Sequence, residues 1–183
     1  PQLSAVAVGN LGHLPIVEGL GLEVRGDFGL NVFNSRALAF LRELGLASAT
    51  VSFELRHQQV RDLAKLLPCE GIVYGRLPLM VMENCITKNN VGCRHGAGST
   101  LTDRTGAQFP VQCVYGCRNE IENSLPLFLA DKAEWRGCGL TSARLRFTTE
   151  TADECAAVLR RYRGEGDYAP EKYTRGLFYR GVE

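Results

Sequence analysis

The chain has 183 residues, a formal net charge of +1, 45% hydrophobic and 22% charged residues, which is the mixture of one globular domain able to bury a sizeable core. So even a balance excludes a global basic footprint for nucleic acid and leaves only a local one open. No apolar run approaches the ~20 residues of a membrane helix, and Pro1-Gln2-Leu3-Ser4 has neither a charged n-region nor an apolar h-region, so a cytoplasmic chain without a signal or membrane contact is expected.

In chain order, short apolar runs alternate with amphipathic segments. The runs are 4–8, closed by Gly9-Asn10; 22–24, leading into Gly26-Asp27-Phe28-Gly29; 50–53, ending at Glu54; and 71–74, closed by Gly75-Arg76. Their nearly continuous apolarity predicts strands buried on both faces of a parallel sheet. Between them the spacing predicts a short helix over 13–20 and a second helix from an N-cap at Ser35 through 44. In the second, Ala37, Leu38, Leu41 and Leu44 face inward and Gly45 is the stop. A third helix over 55–67 has Val60, Leu63, Ala64 and Leu67 as its apolar stripe and ends at Pro68. This rhythm predicts right-handed crossovers.

From 80 to 131 the rhythm breaks into polar, Gly-rich, cysteine-bearing sequence, with a β-hairpin predicted over 100–103 and 109–114 around Arg104-Thr105-Gly106. It resumes with a strand over 143–147 and a Thr151-capped helix to residue 163, with Cys155, Val158, Leu159 and Tyr162 inward. The expected organisation is β/α units over 1–79, an inserted lobe over 80–131, a last β/α unit over 132–165 and an irregular tail over 166–183. The first residue is not methionine, so an excised piece of a longer parent chain is expected.

Seven cysteines without an export signal point to metal binding or catalysis before disulfides. Seven residues separate Cys85 from Cys93, three separate Cys113 from Cys117, and the hairpin lies between the pairs, which is the logic of a tetrahedral thiolate site. Gly92 and Gly116 precede the second cysteine of each pair and let the backbone curl. Lys88, Arg94 and Arg118 are expected to offset the thiolate charge, and His95 is a substitute ligand. The competing reading is four buried free cysteines. Thiolates suit zinc and iron–sulfur clusters alike, which leaves the metal open. Cys69, Cys138 and Cys155 read as core packing.

A polar residue closes each predicted strand: Asn10, Asp27, Glu54, Arg76 and Arg146, joined by Asn31 and Asn34 in the loop after Asp27. Ligands of parallel β/α folds bind beyond the carboxyl ends of the strands, so this crown reads as a substrate site. It reads equally as a plug in which Arg76 and Arg146 neutralise Asp27 and Glu54. The metalloprotease HExxH, the GxSxG elbow and the P-loop are absent from the sequence. His57 reads as a surface residue, and Trp135, Tyr168, Tyr173, Phe178 and Tyr179 as packing, with base stacking as the rarer use.

Tyr74-Gly75-Arg76-Leu77-Pro78-Leu79-Met80, then Glu83-Asn84-Cys85, Cys93, Leu101-Thr102-Asp103-Arg104, Phe109-Pro110-Val111 and 113–124 together resemble the collagenase-like peptidase family U-32. The likeness is to the C-terminal region of its long members, which carry a second β/α barrel, and 26–34 and 144–147 fit the same region. The resemblance covers nearly the whole chain, and the cysteine segment is its specific part. The fold expected is α/β: a partial (β/α) barrel of about five parallel strands with an inserted cysteine-rich β-hairpin metal-binding lobe. A closed barrel has eight strands, so the remainder is expected upstream in the parent chain. Exposed edges favour a homodimer, or else a stably closed open sheet.

The resemblance implies a peptidase-type (hydrolase) setting without assigned catalytic residues, and an accessory role toward a polypeptide or RNA substrate. Whether this chain is itself an enzyme stays open, with Asp27 and Glu54 as the acidic candidates. Relatives in hydroxylation of RNA or ubiquinone precursors include some that hold a 4Fe–4S cluster on four cysteines. The spacing here differs from theirs, which makes zinc the first expectation and a 4Fe–4S cluster the alternative.

Overall fold

The computed structural model describes residues 3–92 and 99–182; Cys93, Arg94 and His95 lie outside the described residues. In chain order the strands are β1 (Ala5–Val8), β2 (Glu23–Gly26), β3 (Ser48–Thr50), β4 (Cys69–Gly75), β5 (Pro78–Met82), β6 (Ser99–Thr102), β7 (Gln108–Val114), β8 (Arg118–Glu122), β9 (Leu127–Phe128) and β10 (Ser142–Arg146). The α-helices are α1 (Leu14–Val17), α2 (Ser35–Glu43), α3 (His57–Leu63), α4 (Ile86–Val91) and α5 (Ala152–Arg163). No helix of the described residues is long and apolar enough to cross a membrane.

The fold is mixed α/β. A curled half-barrel sheet holds five parallel strands in the order β1-β2-β3-β4-β10, with β9 antiparallel to the end of β4, and a separate antiparallel sheet runs β5-β8-β7-β6. The five parallel strands and the 99–114 hairpin are as the sequence predicts. The hairpin, however, is half of a four-stranded sheet that β5 and β8 complete. Neither shows a clean apolar alternation: in β5, Leu79, Met80 and Val81 are consecutive and all exposed, and β8 carries two glutamates.

Contacts divide the chain into two compact units that interleave along the sequence: 1–73, 129–145 and 175–183 form the first, 74–128 and 146–174 the second. In the first unit, successive residues of each strand face opposite ways. Val8, Ala49, Val51 and Cys69 point to the helical side and join Leu38 and Leu41 of α2 and Val60 and Leu63 of α3 in one buried cluster. Each fully buried leucine there contributes about 1.5–3 kcal/mol, which holds these short helices where propensity alone would not.

Helices α1 and α3 are shorter than predicted and α2 is displaced by one residue, for local reasons. Asn34, extended at φ −149°, caps α2 by accepting the Ala37 amide at 3.0 Å, so Ser35 is the first helical residue and not the cap. Leu44 then falls at the C-terminal cap, 44% exposed. In α3, Gln59 accepts the Arg56 amide at 3.0 Å, which starts the helix after Leu55. Positive φ at Gly19 and Gly21 confines α1 to a single turn. In α5 the Thr151–Glu154 capping box forms and Val158 and Tyr162 are buried. Leu159 is 40% exposed and Cys155 only half-buried, so neither faces the core as expected.

The tail is irregular but anchored. Arg175 donates to both Asp131 oxygens at 2.6 and 2.7 Å, and His57 lies between Phe178 and Tyr179 with ring centroids 5.5 and 5.7 Å away. His57 is therefore a packing residue of the tail and not a surface one. In the second unit Tyr74, Phe128, Phe147, Tyr162 and Tyr173 form a ring cluster with centroids 5.3–6.1 Å apart. The tail aromatics at 173, 178 and 179 thus serve packing.

Candidate metal centre and a polar inner face

The cysteine segment lies in the second unit. Strand alternation gives β8 two faces: Asn119 and Ile121 on one, Glu120 and Glu122 on the other. Asn119 is 1% exposed, and its side chain organises the first face. Its Oδ1 accepts the Ile86 amide at 2.6 Å, and its Nδ2 donates to Cys85 Sγ at 3.8 Å. The Lys88 amide donates to the same sulfur at 3.4 Å. Cys113 is directly opposite Asn119 in the β7–β8 register, so it shares that face, and its thiol donates to the Gly116 carbonyl at 3.1 Å. Cys117 is exposed at the β7–β8 turn, where Tyr115 and Gly116 have φ +48° and +89°. Gly92 is also at positive φ, +82°, so both predicted curling glycines adopt that conformation.

Among the described residues, no three His, Cys, Asp or Glu side chains are gathered as a metal-holding set. Cys85 and Cys113 share the Asn119 face, Cys117 is at the turn beside it, and Cys93 and the substitute His95 fall outside the described residues. The donor chemistry at Cys85 fits a metal thiolate, since two N–H groups point at its sulfur. Arg118 is not held in reserve to balance thiolate charge: it pairs with Glu83 at 2.9 Å. Of the other cysteines, burial pushes the Cys69 thiol up to about 11 and raises that of Cys138, which suits inert packing.

The predicted crown is not one constellation. Asn10 caps a 3-10 turn by accepting the Gly12 amide at 2.8 Å, Asn31 closes another in the left-handed region at φ +46°, and Asn34 caps α2. Glu54 is exposed. Arg76 donates to the Asn123 carbonyl at 2.9 Å, to that of Ser124, and to Thr149 Oγ1 at 3.3 Å. Arg146 reaches Glu120 and Glu122, each at 2.7 Å. The expected pairing of Arg76 and Arg146 with Asp27 and Glu54 is therefore replaced. Main-chain carbonyls satisfy Arg76, the two β8 glutamates satisfy Arg146, and Asp27 binds a residue the sequence reading passed over.

That residue is Arg144. In the first unit the register aligns Ala7, Arg25 and Ser48 in one row and Thr50 with Glu70 in the next. These residues, with Ser142 and Arg144, line a cavity of about 190 Å³ on the inner face of the half-barrel. Arg144 bonds Asp27 through Nη1 and Glu70 through Nη2 at 2.5 Å. Thr50 Oγ1 donates to Glu70 at 2.9 Å, Ser142 Oγ donates to its other oxygen at 3.3 Å, and the Phe28 amide donates to Asp27 at 2.7 Å. The face opposite the helices is thus polar where Arg25, Ser48, Thr50, Glu70, Ser142 and Arg144 meet, and not apolar as the sequence predicts. The signal was a two-residue polar period: Arg25 and Asp27, Ser48 and Thr50, Ser142 and Arg144.

Asp27, Glu70 and Arg144 keep 25–28% of their side-chain surface. Arg144→Met leaves both carboxylates without their cation and is expected to cost about 1–3 kcal/mol. Urea unfolding of the variant against the parent chain measures the loss.

No family model, curated protein or solved structure matches this chain.

Proposed function

We propose that Cys85, Cys93, Cys113 and Cys117 hold one structural zinc ion. In this reading the chain is the accessory, substrate-binding C-terminal part of a cytoplasmic, collagenase-like peptidase of the U-32 type. The observation that carries the metal reading is Asn119. This buried amide holds the backbone ahead of Cys85, donates to the Cys85 sulfur, and stands opposite Cys113 on the same strand face. Such an outer partner fixes a thiolate ligand before the metal arrives. The family reading is supported by the motif residues at 74–85 and 101–124 and by the half-barrel strands that flank them in the chain. The polar inner face, with the Asp27 and Glu70 carboxylates and the Arg25 and Arg144 guanidiniums, suits hydrogen-bonded contact to a polypeptide or RNA. Its hydroxyls, Thr50 and Ser142, donate to Glu70, a carboxylate already paired with Arg144, which favours binding over hydrolysis in this part of the parent.

Bound zinc would tie the α4 segment to the β7–β8 turn, and no reaction step is assigned to it. Anaerobic purification followed by metal analysis is expected to give about one zinc per chain in colourless protein. Iron with acid-labile sulfide in brown protein would replace this reading with the iron–sulfur one. Cys113→Ser and Asn119→Ala are each expected to lower zinc affinity, the second by about 10–100-fold. Cys155→Ser should leave it unchanged.

A further inference from the structure

We propose that Cys113 and Cys117 form an oxidation site: a hydroperoxide joins their sulfurs in a disulfide across the β7–β8 turn, and thiols reopen it. Of the cysteines among the described residues these two alone are exposed; Cys69, Cys85 and Cys138 are buried and Cys155 is half-buried. The turn also sets them side by side. Val114 and Arg118 are partners in the β7–β8 register, so the chain reverses within the three residues between them. Tyr115 and Gly116 make that reversal at φ +48° and +89°. Tyr115 thus adopts a conformation that favours glycine, and backbone outliers of this kind cluster at functional sites. The Cys113 thiol lies 3.1 Å from the Gly116 carbonyl oxygen, and the carbon of that carbonyl is bonded to the Cys117 nitrogen. The Cys113 sulfur therefore rests against the main chain of Cys117, and side-chain rotation brings the two sulfurs together without breaking the strand pairing. Cys85 is the contrasting case: it is buried, and its sulfur is held by the Lys88 amide and by Asn119.

The chemistry balances with one hydroperoxide. The Cys117 sulfur, exposed at the turn, attacks one peroxide oxygen. The O–O bond breaks, the sulfur becomes a sulfenic acid, and the other oxygen leaves with the thiol proton as water or an alcohol. The Cys113 sulfur then attacks the Cys117 sulfur, forming the S–S bond, and the displaced hydroxyl takes the Cys113 proton and leaves as water. Two thiols lose two hydrogens and the peroxide is reduced. An accessible cysteine with a resolving partner beside it is the arrangement of redox sensors, and in a reducing compartment the bond is transient. The disulfide does not require the metal; only its consequence rests on the zinc reading. Both sulfurs are proposed ligands, so closing the bond withdraws two of the four and releases the ion.

Trypsin cuts after Arg104 and Arg118, so both cysteines fall in one fragment, 105–118. The full chain is treated with hydrogen peroxide, unfolded, alkylated, digested and analysed by mass spectrometry, while a chromogenic chelator follows released zinc. Fragment 105–118 should lose two hydrogens and escape alkylation, and dithiothreitol should restore both. Cys85 and Cys155 should remain alkylatable. In Cys113→Ser the bond cannot close, and a cyclic dione should trap Cys117 as the sulfenic acid. A disulfide in a chain purified without zinc supports the site and counts against the zinc reading. A fragment 105–118 that stays reduced in peroxide, with or without bound zinc, overturns the site and leaves the zinc reading standing. Pairing of either cysteine with Cys85 or Cys93 overturns it too. Should Cys113→Ser fail to fold, the fragment from the unaltered chain decides.

Discussion

Arg146→Met, at the end of β10, is expected to cost about 3–5 kcal/mol through the β8 glutamates that it pairs with. Glu122 has no exposed surface, and Arg146, itself 16% exposed in its side chain, is its cation. The guanidinium also donates to Glu120 and, at 2.6 Å, to the Arg76 carbonyl. Methionine keeps the bulk and leaves a buried carboxylate without its hydrogen-bonded cation. Burial pushes the Glu122 carboxyl up, against the pull of Arg146. A carboxyl raised in the folded state contributes stability below its ordinary pKa and loses that contribution as the pH rises through the folded value. In the variant the pull of Arg146 is lost, while burial and the neighbouring Glu120 still push the carboxyl up. The deficit seen at neutral pH should therefore shrink across the acidic range, as the carboxyl takes up a proton. Urea unfolding of both proteins across that range reads the effect, and a deficit that does not change with pH would assign it to packing instead.

Gly75→Ala is expected to cost about 2–5 kcal/mol, from two sources that add. Gly75 adopts φ +114°, a conformation side chains avoid, and a Cβ there would run into the backbone carbonyl of Arg146. A backbone atom cannot rotate aside as a side chain can, so β4 and β10 would have to move apart at this point. Gly45 separates the two sources: its φ is +84°, yet nothing lies within 4 Å of an added Cβ. Gly45→Ala should therefore cost only the conformational part, about 1–2 kcal/mol. Similar losses in the two variants, measured by thermal unfolding, would show that Gly75 is required for its φ alone.

The β/α rhythm was legible because apolar strands and amphipathic helices differ in period. Val8, Ala49, Val51 and Leu38 end in the core that the rhythm predicts. Helix lengths were less legible, because Asn34 and Gln59 settle where α2 and α3 begin and a cap depends on backbone angles that spacing does not reveal. The inner face was misread for a different reason. Runs 22–24 and 71–74 hold Glu23 as their only charged residue, and the polar partners Arg25, Asp27 and Glu70 stand just outside them. Only the register, which sets Thr50 beside Glu70, shows that they converge. Arg144 was passed over in favour of Arg146 because both occupy one strand and strand ends were weighted over strand middles. Asn119, a lone amide in a charged stretch, carried no spacing signal.

Strand β8 has a consequence for how the antiparallel sheet can assemble. Its odd-numbered residues serve the cysteine face and its even-numbered ones serve Arg146. A slip of one position against β7 would turn Glu120 and Glu122 toward Val111 and Cys113 and carry Asn119 and Ile121 to the guanidinium. Because side chains alternate with a period of two, each misaligned hairpin would fail on both faces at once. The pairing is therefore checked twice, by charge on one side and by an amide on the other. A single-residue insertion between 118 and 122 should abolish both clusters together.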